Sequence, residues 1–87
     1  MDVEFDAAKN QANLAGHGLP LAAAVEMDLS EATVISDDRS DYGEPRFRAF
    51  GRIDRQGYCL IFTYRADKVR LISFRRAHDK EMALYDR

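Results

Sequence analysis

Near its C-terminal end the chain sets two arginines side by side, Arg75 and Arg76, and follows them with Ala77 and His78. They come directly after Lys68-Val69-Arg70-Leu71-Ile72-Ser73-Phe74, a run with the alternation of a strand. Strict alternation puts Val69, Leu71 and Ser73 on one face and Arg70, Ile72 and Phe74 on the other. The two arginines then point to opposite faces. Arginine presents a planar fork of donors that suits the oxygens of a phosphate. Paired arginines and a histidine where a strand meets a helix therefore point toward nucleic acid. The alternative is a solvated strand end, because arginine is common on surfaces.

A second histidine, His17, lies in Asn13-Leu14-Ala15-Gly16-His17-Gly18, between two glycines at an expected helix end. Glycine lets the backbone bend there and leaves room for a ligand. Imidazole is suited to proton transfer near neutral pH. It also favours the negative end of a helix, so a structural role accounts for the same position. Arg46, Arg48 and Arg52 alternate along another strand-like run, with Phe50 between them. Arginines interleaved with an aromatic ring suit phosphates and bases. They also describe any solvated sheet face. Tyr64 ends a third, apolar run, where it could position a phosphate oxygen or simply cap a core strand. Lys80, Glu81 and Tyr85 read as ordinary helix surface and packing.

The sequence has no glycine-rich phosphate loop, no HExxH, no zinc spacing and no nucleophile elbow. No metal or nucleotide cofactor is expected. Cys59 is the one cysteine. It sits in an apolar run, which predicts a small buried filler rather than a reactive thiol.

A net charge of −2 conceals an uneven distribution. Residues 1–45 carry ten acidic side chains against two basic ones, and residues 46–87 carry eleven basic against five acidic. Such asymmetry points to an anionic partner for the basic half. Screening beyond roughly 10 Å lets that half act locally despite the negative total. The same surface could dock an acidic protein, or the acidic half could fold back and neutralise it.

With 87 residues, 46% of them hydrophobic, the chain is expected to form one globular domain. A chain this short buries only about 60–65% of its unfolded surface, so its stability is modest. No apolar segment reaches membrane-spanning length. The start Met1-Asp2-Val3-Glu4 is acidic and lacks signal-peptide character. A cytoplasmic location is the default expectation.

The elements that must position these residues follow from pattern. Met1 to Phe5 reads as a brief edge strand. Asp6 is a good N-cap for a helix from Ala7 to about Ala15, closed by Gly16 and Gly18. Pro20 opens a second helix, with Leu21, Ala24, Val25 and Leu29 on its apolar face. Ala32 to Ile35 is a strand, and Ser36 to Pro45 a mobile loop. Arg46 to Ile53 is a strand, Asp54 to Gly57 a turn, and Tyr58 to Tyr64 the central strand. Arg65 to Asp67 turns the chain into Lys68 to Phe74. A last helix runs from Asp79, its cap, to about Asp86, with Met82 and Tyr85 facing one side. The reading is an α+β domain: two N-terminal helices, an antiparallel sheet of three or four strands, and a C-terminal helix.

Several of these pieces, taken together, resemble one family. Val3-Glu4-Phe5-Asp6-Ala7-Ala8-Lys9 followed by Asn13-Leu14 and His17-Gly18 is similar to the opening of the BrnT toxins of bacterial type II toxin–antitoxin systems. So are the run from Arg46-Phe47 to Gly51 and the strand end Phe62-Thr63-Tyr64. Leu71-Ile72-Ser73, Arg75-Arg76-Ala77, Glu81 and Tyr85 complete the pattern, in order and with matching spacing. The likeness covers nearly the whole chain, so residues 1–87 are expected to be a single BrnT-like toxin domain.

The resemblance implies a small ribonuclease with a RelE-like α+β fold. Its partner would be a BrnA-type antitoxin with a ribbon-helix-helix DNA-binding domain, through which the complex would bind operator DNA indirectly. The implied mechanism needs no metal: the RNA 2′-OH attacks its own phosphodiester while the protein positions and stabilises that attack. His17 is the candidate acid or base, Arg75 and Arg76 the groups that stabilise the phosphorane, and Lys9 and Tyr64 orienting groups. Arg46, Arg48 and Arg52 are candidate RNA contacts. One departure stands out. The family commonly has Lys-His-Gly where this chain has Gly16-His17-Gly18, and Lys9 is the candidate substitute for the missing cation. Two rival readings remain open: a non-catalytic interaction module, and a defective toxin that binds antitoxin and serves in operon co-repression.

Overall fold

Asp6 starts the first helix as its sequence position predicts. Its carboxylate accepts the backbone N–H of Lys9 at 2.7 Å. In the computed structural model, which describes residues 2–85, helix α1 then runs over Ala7–His17. It passes through Gly16 rather than stopping there, and Gly18 closes it in the left-handed conformation at φ 72°. A strand β1, Val3–Glu4, precedes α1. The remaining elements are β2 at Thr33–Ser36, β3 at Phe47–Ile53, β4 at Gln56–Arg65, β5 at Lys68–Arg76 and helix α2 at Asp79–Tyr85.

The strands form one five-stranded mixed sheet in the order β1-β5-β4-β3-β2, with β4 central as expected. This corrects the expectation of three or four antiparallel strands. The edge strand expected within residues 1–5 is present as β1, but it joins the same sheet as a fifth strand and pairs in parallel with β5, through Val3 opposite Val69 and Glu4 opposite Arg70. The expected second N-terminal helix is also corrected. Leu21–Glu26 is a 3-10 helix, which leaves one N-terminal α-helix. Leu21, Ala24 and Met27 are the buried residues of this segment, at a spacing of three. A 3-10 helix has three residues per turn and stacks such positions in one row. Val25, assigned to the apolar face on α-helical spacing, is 57% exposed.

Two further boundaries move. The first hairpin turns on Asp54 and Arg55 alone, with Asp54 at φ 56°, and Gln56 and Gly57 already belong to β4. Asp79 is the first residue of α2, so the capping position falls on His78. The expected end of α2 at Asp86 lies outside the described residues.

The 3-10 helix covers one sheet face, packing on Ala49, Leu60, Phe62, Val69, Leu71 and Phe74. Helix α2 covers the other, with Met82 and Tyr85 against Phe50, Cys59 and Ala77. The Tyr85 ring stacks on Phe50 at 4.3 Å, as the helix spacing implied. Gly57 lets α2 approach closely, since a Cβ there would lie 2.4 Å from Met82 Cγ. Cys59 is buried, and burial pushes its thiol up in pKa, which suits a filler.

One irregularity redirects the arginines. Ile61 of β4 pairs with Ser73 and the next residue, Phe62, pairs with Leu71, so Ile72 is an extra residue in β5. Strict alternation put Phe74 opposite to Val69 and Leu71. The bulge resets the phase, and all three enter the same core. Arg75, opposite Cys59, consequently turns toward the face that α2 covers, and Arg76, opposite Tyr58, toward the other.

Candidate functional site

The site is built on the outer edge of β5. Strand β1 pairs only with Val69 and Arg70, so the edge beyond needs another partner. Asn13 on α1 supplies it. Its side-chain amide donates to Phe74 O at 2.8 Å, and its carbonyl oxygen accepts Phe74 N–H at 2.9 Å. The same amide donates to Leu19 O at 2.7 Å, which also fixes the chain after α1. Asn13 is 4% exposed and acts as a neighbouring strand residue would. It thereby sets the distance between α1 and the end of β5.

Along α1, Lys9, Ala12, Asn13, Gly16 and His17 follow helical spacing and fall on one stripe. Two hollows open between this stripe and β5. One, about 200 Å³, is lined by Lys9, Ala12, Asn13, His17, Ile72 and Ser73. The other, about 370 Å³, is lined by Gly16, His17, Arg75, Arg76 and His78. His17 lines both, which makes them one cleft running from the bulge to the start of α2. A separate apolar hollow of about 170 Å³ lies by the 3-10 helix and has no charged lining residue.

The cations in and near this cleft differ in their commitments. Arg75 donates twice to Glu81, at 2.8 Å to each carboxylate oxygen. Glu81 also accepts the backbone N–H of His78 at 2.9 Å. The Arg75 guanidinium, foremost, holds the Glu81 carboxyl down at about 2. Among the described residues the side chains of Arg76, His17, His78 and Lys9 make no hydrogen bond or ion pair. All but Lys9 are exposed or reach the cleft from its rim, and Lys9 is half-buried. The cleft thus offers one cation locked in place and others available to an anion. No three His, Cys, Asp or Glu side chains come together as a metal site among the described residues.

Other candidate residues lie elsewhere. Tyr64 pairs with Val69, whereas the Arg76 end of β5 pairs with Tyr58. Six residues of strand, about 20 Å, separate the two. Tyr64 packs edge-on against Phe47 and Phe62. Arg46 precedes β3, stacks over Tyr42 and pairs with Glu44. Arg48 and Arg52 share a face with Phe50 as expected. Arg48, however, lies 4.0 Å from the buried Asp37 and over Phe50. Arg52 donates to Arg55 O across the hairpin. The acidic half does fold back in part, since Glu4 and Asp6 both pair with Arg70.

Sequence reasoning missed three contributors. Glu81, read as helix surface, is the partner of Arg75. Its signal is the third-residue position after His78, where an acidic side chain reaches back to a capping N–H. His78 was noted beside the arginines but given no role, and it lines the cleft. Asn13 belongs to the family motif, but its role at the strand edge carried no signal, because its partner Phe74 is remote in the chain.

Fold and cleft together define a small α+β protein that gathers guanidinium, ammonium and imidazole groups between α1 and β5. The comparison with known families is specific. Residues 5–81 match the model of the ribonuclease toxin, BrnT, of type II toxin-antitoxin systems, and the chain belongs to that family. No curated protein matches it. Membership makes the chain a ribonuclease toxin with an RNA substrate and an antitoxin partner. Among the described residues no helix is long and apolar enough to cross a membrane.

Proposed function

We propose that this toxin is a metal-independent endoribonuclease of the cytoplasm that cleaves RNA in the cleft between α1 and β5. The observation that carries the reading is the convergence of His17 with Arg75 and Arg76 on one hollow. The RNA 2′-OH attacks the adjacent phosphorus, and charge builds on the non-bridging oxygens. Arg76, whose guanidinium has no protein partner among the described residues, binds that charge. Arg75, fixed by Glu81, presents its remaining edge at a defined place. His17 transfers a proton. Lys9 lies two helical turns from His17, about 12 Å along the axis, and holds a flanking phosphate. A ribbon-helix-helix antitoxin closes the cleft with acidic and apolar residues, and the pair contacts operator DNA through the antitoxin.

The test is RNA cleavage by the purified chain in excess chelator, with and without the antitoxin. The expected result is cleavage that leaves cyclic phosphate and 5′-hydroxyl ends, and that stops when the antitoxin co-elutes with the toxin. Cleavage that requires an added divalent cation would overturn metal independence. No cleavage under any of these conditions would leave antitoxin binding and co-repression as the activity.

A further inference from the structure

Resting on the nuclease reading above, we propose that His78 is the second proton-transfer group of the site and works as a pair with His17. Both imidazoles line the same hollow of about 370 Å³, together with Arg75, Arg76 and Gly16. Cleavage by 2′-OH attack needs two proton transfers. The 2′-oxygen loses a proton as its bond to phosphorus forms, and the 5′-oxygen gains one as its bond to phosphorus breaks. One neutral imidazole accepts the first proton and one protonated imidazole gives the second. The products are a 2′,3′-cyclic phosphate and a 5′-hydroxyl. The two histidines finish with exchanged protonation states and re-equilibrate with water, so no further reactant is required.

The backbone at both residues is fixed while the rings are left free. His17 is the last residue of α1, and Gly18 closes the helix behind it. His78 is held on both sides. Its N–H is taken by Glu81, and its carbonyl accepts the N–H of Met82 at 3.0 Å. The preceding Ala77 is buried, and its N–H is bonded to Gly57 O. Both histidines are exposed, and neither ring has a protein partner among the described residues. Gly16 leaves the floor open, since a Cβ there would meet nothing within 4 Å. The charged groups that face the pair are Arg75 and Arg76 from β5 and Glu81 from α2, whose carboxylate is occupied by Arg75.

The experiment is a pH–rate profile of RNA cleavage for the full chain and for His17→Ala, His78→Ala and His78→Asn, each with its melting temperature. The wild type should give a bell-shaped profile, one limb for the group that accepts a proton and one for the group that gives it. Each alanine variant should lose one limb and about a hundredfold or more in rate. His78→Asn puts a residue suited to the capping position there, so a rate loss in that variant at unchanged melting temperature excludes an unfolding artefact. A uridine 3′-(4-nitrophenyl) phosphate substrate has a leaving group that needs no proton. It should restore the rate of the variant lacking the acid and leave the variant lacking the base impaired. An active wild type whose rate and profile survive His78→Ala overturns the pair and leaves the nuclease reading standing. Rescue of neither variant by the aryl ester also overturns the pair. A wild type without nuclease activity overturns both.

Discussion

Arg75 and Arg76 are neighbours of one residue type, yet replacing them should have different consequences. Arg76 is exposed, and its guanidinium has no hydrogen bond or ion pair among the described residues. Arg76→Ala should therefore change stability by no more than about 0.5 kcal/mol. Arg75 donates twice to Glu81 with both side chains about three-quarters buried, at 26% and 24% exposure. It also donates to Arg76 O at 3.1 Å. Arg75→Ala leaves the Glu81 carboxylate with only the His78 N–H. Charge-assisted bonds of this kind contribute about 1.5–3 kcal/mol when sheltered, and exposed ion pairs about 0–1. A partly exposed pair lies between them, so the expected loss is about 1–2 kcal/mol. At about 4–8 °C per kcal/mol for a domain of this size, that is a fall of roughly 5–15 °C. Both variants should lose RNA cleavage, because a missing donor to a transition-state oxyanion costs about 10²–10³ in rate. Melting temperature measured beside cleavage rate separates the two effects. Equal melting temperatures for the two variants would refute the assignment of Glu81 as the anchor of Arg75. Full activity in Arg76→Ala would refute its role at the phosphate.

Three other outcomes follow from packing and charge. Asn13→Ala removes three hydrogen bonds and strands the Phe74 N–H and carbonyl, so it should cost about 3 kcal/mol or more in a denaturant titration. Faster amide exchange at Phe74 should accompany it. Gly57→Ala drives a methyl into Met82 Cγ and Sδ and should cost about 1–3 kcal/mol, and Met82→Ala in the same chain should recover part of it in a double-mutant cycle. Asp37, bonded chiefly by Arg39, and Glu81, bonded chiefly by Arg75, are both held at about 2, against ordinary values of 3.8 and 4.5. Depressed carboxylates bind protons more weakly folded than unfolded, so their contribution is complete above about pH 4.5 and is lost toward pH 2. Melting temperature should fall through that window, and Glu81→Gln should flatten the fall.

The sequence by itself determined the local elements. Asp6 as cap, Gly18 as terminator, the two hairpins and the apolar central strand were legible because each depends on neighbours within a few residues. It also determined the family, through motifs spread along the chain in a matching order. His17, Arg75 and Arg76 stood out because few residue types move protons or grip phosphates.

What only the tertiary structure decided depends on contacts between remote residues. Val3–Glu4 is too short to declare its partner, and its parallel pairing with β5 turned an antiparallel sheet into a mixed one. The 3-10 helix won over an α-helix because the sheet it covers accepts one row of side chains from Leu21, Ala24 and Met27. The bulge at Ile72 has no composition signal, since Ile, Ser and Phe all suit a regular strand. It became visible only against β4, where eight paired residues face the nine of β5, one more than strict alternation allows. That one residue changes which face Phe74 and Arg75 take, because side chains in a strand alternate with a period of two. The same reset, with Asn13 holding α1 to the strand edge, places the arginines beside His17 and His78. Periodicity could name these residues, but only the register of β5 could bring them to one cleft.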